Sequence, residues 1–125
     1  MIYSLTGTII DRDNEKVAIQ TLGIGYEVFV SKPMEYELGA ELTLYTYEVL
    51  SQDDHYLVGF LSKEEKRAFS SLISVKGIGP KTAHDLLLRY GSVKQVAIQT
   101  LDDLSAAIGP SKAAIVYNHL HSVNE

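Results

Sequence analysis

The sequence predicts an α+β protein in which a small β-barrel is followed by an all-helical domain. Up to about residue 60, short apolar runs rich in Val, Ile, Thr and Tyr alternate with turn residues, which is typical of strands. After residue 61 the apolar residues recur at helical spacing. No linker rich in Pro, Gly or Ser separates the two parts. We therefore expect two adjoining domains, residues 1–62 and residues 63–125.

Five segments of the first domain have the composition and length of strands. They are LTGTIID, KVAIQTL, GYEVFVS, ELTLYTYEVL and HYLVGFL, and turn residues such as Gly23-Ile24-Gly25 separate them. Five or six short strands within about sixty residues predict a small closed barrel, for which the OB type is the commonest candidate. Most of the eight tyrosines lie in this domain. Tyrosines can stack on bases, but in a small barrel we interpret them as packing residues.

Caps and apolar stripes mark the helices of the second domain. Ser62-Lys63-Glu64-Glu65 has the form of a capping box, and Gly91 is placed to end a second helix. Ser92 and Thr100 begin two further helices. The apolar stripes consist of Phe69, Leu72 and Ile73, then Ala83, Leu86 and Leu87, and finally Ile115, Val116 and Leu120. Four or five short helices are expected.

Composition excludes several classes of protein. The chain contains no Cys, so disulfides and thiolate metal sites are excluded. It has no apolar run of about eighteen residues, the length of a membrane span, so no membrane partner is expected. The first ten residues lack the features of a signal peptide. A cytoplasmic protein without metal or cofactor is the expectation.

Charge is distributed unevenly along the chain. The net charge of −5 is the sum of −7 in residues 1–62, +4 in residues 63–94 and −2 in residues 95–125. An acidic protein is normally a poor partner for nucleic acid, but a local basic segment is sufficient for a local DNA contact. On charge alone, an exposed charged helix is the favoured interpretation of that segment.

The basic segment contains an unusual string, SVKGIGPKTAHDLL, at residues 74–87. Two glycines allow the chain to reverse between helices, and Pro80 suits the first turn of the next helix. Backbone N–H groups would then converge at a helix N-terminus, which favours a phosphate group. The pattern resembles the helix-hairpin-helix motif, which binds the DNA backbone without reading bases; a plain tight turn is the alternative. The candidate DNA-binding residues are Lys76, Gly77, Ile78, Gly79, Pro80, Lys81 and Thr82.

A second, degenerate copy of this motif is predicted within LSAAIGPSKAAIVYNHL, residues 104–120. Ala107 stands where the first copy has Gly77, and Ser111 stands where it has Lys81. We expect this copy to bind DNA weakly; packing alone is the alternative. The candidate residues are Ala107, Ile108, Gly109, Ser111 and Lys112.

The chain resembles the RuvA family of bacterial proteins that bind Holliday junctions. The resemblance is carried by MIYSLTGTI, GIGYEV, EVL followed by DDHYLVGF, and EEKRAFSSLISVKGIGPKTA. It implies an OB-fold barrel, a helical DNA-binding domain, and a homotetramer, or a double tetramer, on four-way junction DNA. It also implies a partnership with a RuvB-type motor, which would supply any ATPase activity. RuvA proteins usually continue into a third helical domain that contacts this motor. The sequence stops at Glu125, so we expect junction binding without productive coupling.

The resemblance also assigns a role to the predicted turn between the last two strands. Family members carry an acidic pin on this loop, which helps to separate strands at the crossover. The matching residues are Gln52 and Asp53, followed by Asp54. One acidic position is thus neutral, and Asp54 is the candidate replacement. A polar hairpin turn is the alternative interpretation.

Two other functions are weighed against a junction-binding scaffold. The degenerate second motif and the acidic net charge favour an oligomeric protein-interaction module of RuvA descent with little or no DNA binding. An enzyme is less favoured, because the adjacent residues Asp53, Asp54 and His55 rarely converge on one metal ion. His119 and His121 are two residues apart on a predicted helix, so they lie on different faces. No catalytic residue and no metal ligand is therefore expected.

Overall fold

The barrel closes through five strands, in a computed structural model that describes residues 1–122. The strands are β1 (Ser4–Arg12), β2 (Lys16–Thr21), β3 (Ile24–Phe29), β4 (Glu41–Leu50) and β5 (His55–Phe60), with one 3₁₀ turn, Pro33–Glu35, before β4. The order around the barrel is β1-β2-β3-β5-β4, and β4 pairs back onto β1. All pairs are antiparallel except β3 with β5. The predicted small barrel is confirmed.

The core of the barrel comes from the alternation seen in the sequence. Every second side chain of a strand points inward, so Val17 and Ile19 of β2 are buried while Ala18 between them is less so. The parallel pair brings Val28 opposite Leu57, and both are buried. The buried cluster consists of Leu5, Ile9, Val17, Ile19, Val28, Val30, Tyr36, Leu44 and Leu57.

One glycine is required where β1 crosses β2. A Cβ atom placed on Gly7 would lie 2.0 Å from the backbone oxygen of Gln20. Nearby, the register of the β1–β2 pair shifts between Ile9 and Asp11, which is a β-bulge. Bulges increase local twist and help a small barrel to close.

The turn between β2 and β3 has a two-residue loop, Leu22-Gly23. Leu22 has φ +52° and Gly23 has φ +81°, as a type I′ hairpin turn requires. Thr21 and Ile24 pair on either side of it, and Gly25 lies within β3. The predicted hairpin is confirmed, but its turn lies one residue earlier than the triplet Gly23-Ile24-Gly25, because Ile24 already belongs to β3. Leu22 is unusual there, because it adopts a left-handed conformation with its side chain 99% exposed.

Replacing Leu22 with Asn is expected to raise the free energy of unfolding by about 0.5–1 kcal/mol. Asn tolerates φ > 0 better than Leu, and the exposed leucine side chain contributes little packing. Urea denaturation followed by circular dichroism measures the change. Leu38→Asn is the matched control, since Leu38 is also exposed and does not have a positive φ. A lower free energy of unfolding for Leu22→Asn would contradict the prediction.

Five helices follow the barrel: α1 (Lys63–Ile73), α2 (Pro80–Tyr90), α3 (Val93–Ala97), α4 (Leu101–Ile108) and α5 (Pro110–Ser122). The predicted N-caps are confirmed, with the side-chain oxygens of Ser62, Ser92 and Thr100 each accepting a backbone N–H three residues later at 3.1–3.2 Å. Gly91 caps α2 at φ +93°. None of the helices in residues 1–122 is long and apolar enough to cross a membrane.

The chain divides into two structural units, one from Met1 to Lys66 and one that begins at Arg67. The first turn of α1 therefore belongs to the barrel unit. The helical unit has its own core, to which several helices contribute fully buried residues. They are Phe69, Leu72, Leu86, Val96, Leu104 and Val116.

Candidate nucleic-acid interface

The turn between α1 and α2 depends on Gly77. The Ile78 amide donates to the Val75 carbonyl at 3.1 Å, which closes a β-turn, and Gly77 occupies its third position with φ +96°. A type II turn requires a positive φ at that position, so glycine is favoured there. A Cβ atom at Gly77 would also lie 3.1 Å from Cδ1 of Ile115. The backbone and the packing inside the unit therefore both account for this glycine.

Neither backbone conformation nor packing among the described residues explains the glycine at position 79. It is the N-cap of α2 with extended backbone angles, φ −99° and ψ 175°, which any residue adopts. Among residues 1–122, no atom that could obstruct a side chain lies within 4 Å of a Cβ atom placed on Gly79. By contrast, the preceding Ile78 is buried and fixes the turn to the helical unit. In the described structure the space left by the missing side chain of Gly79 is open, so a ligand can approach the backbone closely.

Several backbone N–H groups at the start of α2 lack an acceptor in the described part of the chain. The amides of Gly77, Gly79, Lys81 and Thr82 have no hydrogen-bond acceptor within residues 1–122, whereas the Ala83 amide donates to the Gly79 carbonyl at 3.1 Å. Pro80 has no N–H and occupies the first helical position. Free amides at a helix N-terminus attract anions, and the helix dipole strengthens that attraction.

Two lysines supply positive charge beside these amides. Lys76 and Lys81 are exposed. In the part of the chain that the structure describes, neither lies within 4.0 Å of a carboxylate. The turn between α1 and α2 can therefore hold a phosphate group through backbone amides, with two lysines nearby.

The second predicted hairpin has a different geometry. Helix α4 continues through Ala107 and Ile108, so the Ala107 amide lies inside a helix and is not available to a ligand. Only Gly109 separates α4 from α5; it has φ +88° and ψ 156°, and its amide donates to Ser105 at 2.9 Å. Of the residues predicted for this hairpin, Ser111 and Lys112 offer first-turn amides.

Lys112 provides a link between the two hairpins that the sequence did not reveal. Its Nζ atom lies 3.4 Å from the Oγ1 atom of Thr82, in the first turn of α2. Thr82 is one of only two polar residues that are buried in the described chain, and Lys112 is exposed. The second hairpin thus places its lysine beside the first. The contact joins residues thirty positions apart, which no local pattern encodes.

The predicted acidic pin lies on the loop between β4 and β5. Gln52, Asp53 and Asp54 are exposed, and the loop is closed by the Ser51 amide donating to the Asp54 carbonyl at 2.8 Å. The Asp54 amide in turn donates to Oγ of Ser51 at 3.1 Å. The loop is therefore a fixed, solvent-exposed hairpin that carries two carboxylates.

Glu48 secures the strand ends beneath this loop, a role that its sequence context did not indicate. One carboxylate oxygen lies 2.6 Å from Nε2 of His55, and the other accepts the Ile2 amide at 2.9 Å. The hydrogen bond from His55, followed by that from Ile2, lowers the pKa of Glu48. His55 therefore has a hydrogen-bond partner, Glu48, within the barrel.

No group of three or more potential metal ligands occurs among residues 1–122. The two histidines of α5 have separate contacts: Nε2 of His119 lies 3.2 Å from Oγ of Ser71, and the His121 ring stacks on Tyr117 with centroids 4.1 Å apart.

Both structural units match known families. Residues 1–59 match the RuvA N terminal domain, and residues 69–122 match the SAM-like helix-hairpin-helix tandem. The chain is 36% identical to the Holliday junction branch migration complex subunit RuvA of Marinomonas sp. (strain MWYL1), over 85% of this chain and 54% of that protein. It is 36% identical to the subunit of the same name from Neisseria meningitidis, over 90% of this chain and 61% of that protein. It is 42% identical to the subunit of the same name from Francisella tularensis subsp. novicida, over 70% of this chain and 42% of that protein. The chain spans about half the length of the curated relatives it matches.

Proposed function

Because this chain belongs to the RuvA family, we propose that it binds four-way DNA junctions as a non-catalytic scaffold for branch migration in recombination and repair. Recognition is independent of base sequence, since the proposed contacts are made to phosphate groups. Any ATPase activity belongs to a RuvB-type motor partner.

The observation that carries this proposal is the open backbone at Gly79. No contact among the described residues of the helical unit requires a glycine there, and the amides around it have no acceptor in residues 1–122. Lys76 and Lys81 lie beside them without carboxylate partners in the described residues. A DNA phosphate satisfies the amides and the lysines together. In this proposal the remaining predicted residues, Ile78 and Pro80, shape the turn.

We assign different roles to the two hairpins. The first hairpin binds a phosphate through the backbone amides of Gly77, Gly79, Lys81 and Thr82. The second contributes Ser111 and Lys112, and it binds more weakly, because α4 continues through Ala107 and Ile108.

The barrel, residues 1–62, is proposed to assemble the homotetramer and to lie at the centre of the junction. Four equivalent subunits offer one site to each arm of a four-way junction. Asp53 and Asp54 then repel phosphates at the crossover, next to the neutral Gln52. This arrangement explains how an acidic barrel, net −7, and a basic segment, net +4, serve the same DNA.

A protein-interaction module is the second candidate, and the geometry of the second hairpin favours it. Among the described residues, the first hairpin has a run of amides without an acceptor around its turn, whereas α4 includes Ala107 and Ile108 of the second. In this alternative the oligomer is retained and DNA binding is lost.

Gel-shift titration of a synthetic four-way junction against a linear duplex of equal length distinguishes the two. We expect the wild-type chain to bind the junction at least about tenfold more tightly than the duplex. Raising the salt concentration is expected to weaken binding. The logarithm of the binding constant falls with the logarithm of the salt concentration, and each phosphate contact contributes about 0.9 to this salt slope. Equally weak binding to both DNAs by an intact oligomer would leave the interaction module as the better function.

A further inference from the structure

Two tyrosines and two lysines form a cluster on the barrel unit, where α1 begins. We name Tyr3, Tyr45, Lys63 and Lys66 the Tyr–Lys cluster. The two rings meet edge to face, with centroids 6.3 Å apart and an interplanar angle of 83°. Nζ of Lys66 lies 3.6 Å from the centroid of Tyr3, and Nζ of Lys63 lies 5.9 Å from that of Tyr45. Tyr3 is 53% exposed, so the cluster is open to solvent.

Among residues 1–122, no carboxylate lies within 4.0 Å of the ammonium group of either lysine in this cluster. The structure describes two contacts between a basic side chain and a carboxylate, Lys16 with Glu27 and His55 with Glu48, and neither involves Lys63 or Lys66. The contrast with Lys16 is informative, because that lysine also lies beside a ring, Phe29, but is held by Glu27 at 2.9 Å. Partial burial lowers the pKa of Lys66. An incoming anion would offset this cost of desolvation.

Hydroxyl groups continue the cluster along β1 and β4. Ser4 pairs with Tyr45, and the Oγ1 atoms of Thr6 and Thr43 are 2.7 Å apart. This strip of the barrel therefore combines aromatic rings, uncharged donors and two lysines. The same combination lets proteins bind single-stranded nucleic acid, where bases stack on rings and lysines follow the backbone.

We propose that the Tyr–Lys cluster is a second DNA contact, which binds an unpaired strand by stacking a base on Tyr3 while Lys63 and Lys66 contact the flanking phosphates. Stacking of a base on an aromatic ring is stronger than an exposed cation–π contact. A base therefore displaces the Lys66 ammonium from the face of Tyr3, and the released ammonium is free for a phosphate. This contact goes beyond the proposed function, which rests on the backbone of the first hairpin.

Fluorescence anisotropy with labelled oligo(dT) of about 16 nucleotides, the upper site size of one OB fold, tests the proposal. The full chain is used, and Tyr3→Leu is expected to weaken binding about tenfold, because the stacking ring is lost. Tyr3→Phe keeps the ring and is expected to bind like the wild type. Lys66→Gln is expected to reduce the salt slope by about 0.7, the value for one phosphate of a single strand. Lys32→Gln removes an exposed lysine of the same unit outside the cluster, and no change is expected.

The result is separable from that for the first hairpin. Gly79→Asp is expected to lose junction binding but to keep its affinity for oligo(dT). Unchanged oligo(dT) binding by Tyr3→Leu would overturn the proposal, as would undetectable binding by the wild type. If Lys66→Gln lowers the melting temperature but leaves the salt slope unchanged, the cluster only fastens α1 to the barrel. Photo-cross-linking with 5-iodouracil in place of thymine gives an independent measurement, and cross-links that avoid the peptide containing Tyr3 would also contradict the assignment.

Discussion

Gly79→Asp is expected to weaken binding of the four-way junction by about a hundredfold, which corresponds to about 2.7 kcal/mol. The substitution places a carboxylate where the proposed phosphate approaches the backbone. It thus adds like-charge repulsion and blocks the amides, and each lost charge-assisted hydrogen bond is worth about 1.5–3 kcal/mol. The fold is expected to survive, because φ is −99° at this position and a Cβ atom meets nothing within 4 Å.

Gly79→Asn separates the effect of charge from that of size. It has nearly the same volume without the negative charge, so we expect a smaller loss of affinity than for Asp. Gel-shift titrations of both variants and thermal unfolding of each complete the comparison. Junction binding by Gly79→Asp within about twofold of the wild type would remove the first hairpin from the proposed interface.

The largest effect on stability is expected for Gly7→Ala, which should lower the free energy of unfolding by more than about 3 kcal/mol. The new Cβ atom would lie 2.0 Å from the oxygen and 2.8 Å from the carbonyl carbon of Gln20. Both are backbone atoms of a paired strand, so neither can turn aside as a flexible side chain does. The β1–β2 pair must separate to make room, and the barrel loses part of its closure.

Gly25→Ala is the matched control for this change. Its Cβ atom would lie 3.4 Å from Cδ1 of Ile10, which is an ordinary van der Waals contact, and it is expected to alter stability by less than about 1 kcal/mol. Urea denaturation of both variants provides the measurement. Equal midpoints for Gly7→Ala and the wild type would show that the strands separate locally at little cost.

The sequence predicted the strands and helices well because their signals are local. Alternation marks β2, and the caps Ser92 and Thr100 mark the starts of α3 and α4. The parallel pairing of β3 with β5 was not predicted in detail, since register between distant strands depends on how the whole barrel closes. The cation–π contacts of Lys63 and Lys66 with the rings of the barrel were missed for the same reason.

The first and second hairpins have similar sequences but different turns. In the first hairpin the chain reverses at Gly77, whose φ of +96° is costly for any residue with a Cβ atom. Ala107 stands at the matching position and favours the helix instead, so α4 continues to Ile108. The reversal is delayed to Gly109, which takes the positive φ. One methyl group therefore changes the position of the turn and removes a backbone amide from the site.

The closure of the barrel by β4 and β5 has a consequence for the order of folding. Strand β1 pairs with β2 and with the more distant β4, and β3 pairs in parallel with β5. The first three strands therefore cannot complete their pairing until residues later in the sequence are available. Pairings that are distant in sequence form slowly, because the entropy of closing a long loop is lost before the contacts form. Contacts between neighbours such as α4 and α5 are local and form quickly. The unit that carries the first hairpin is thus built for fast folding, and barrel closure is the slow step in reaching the native state.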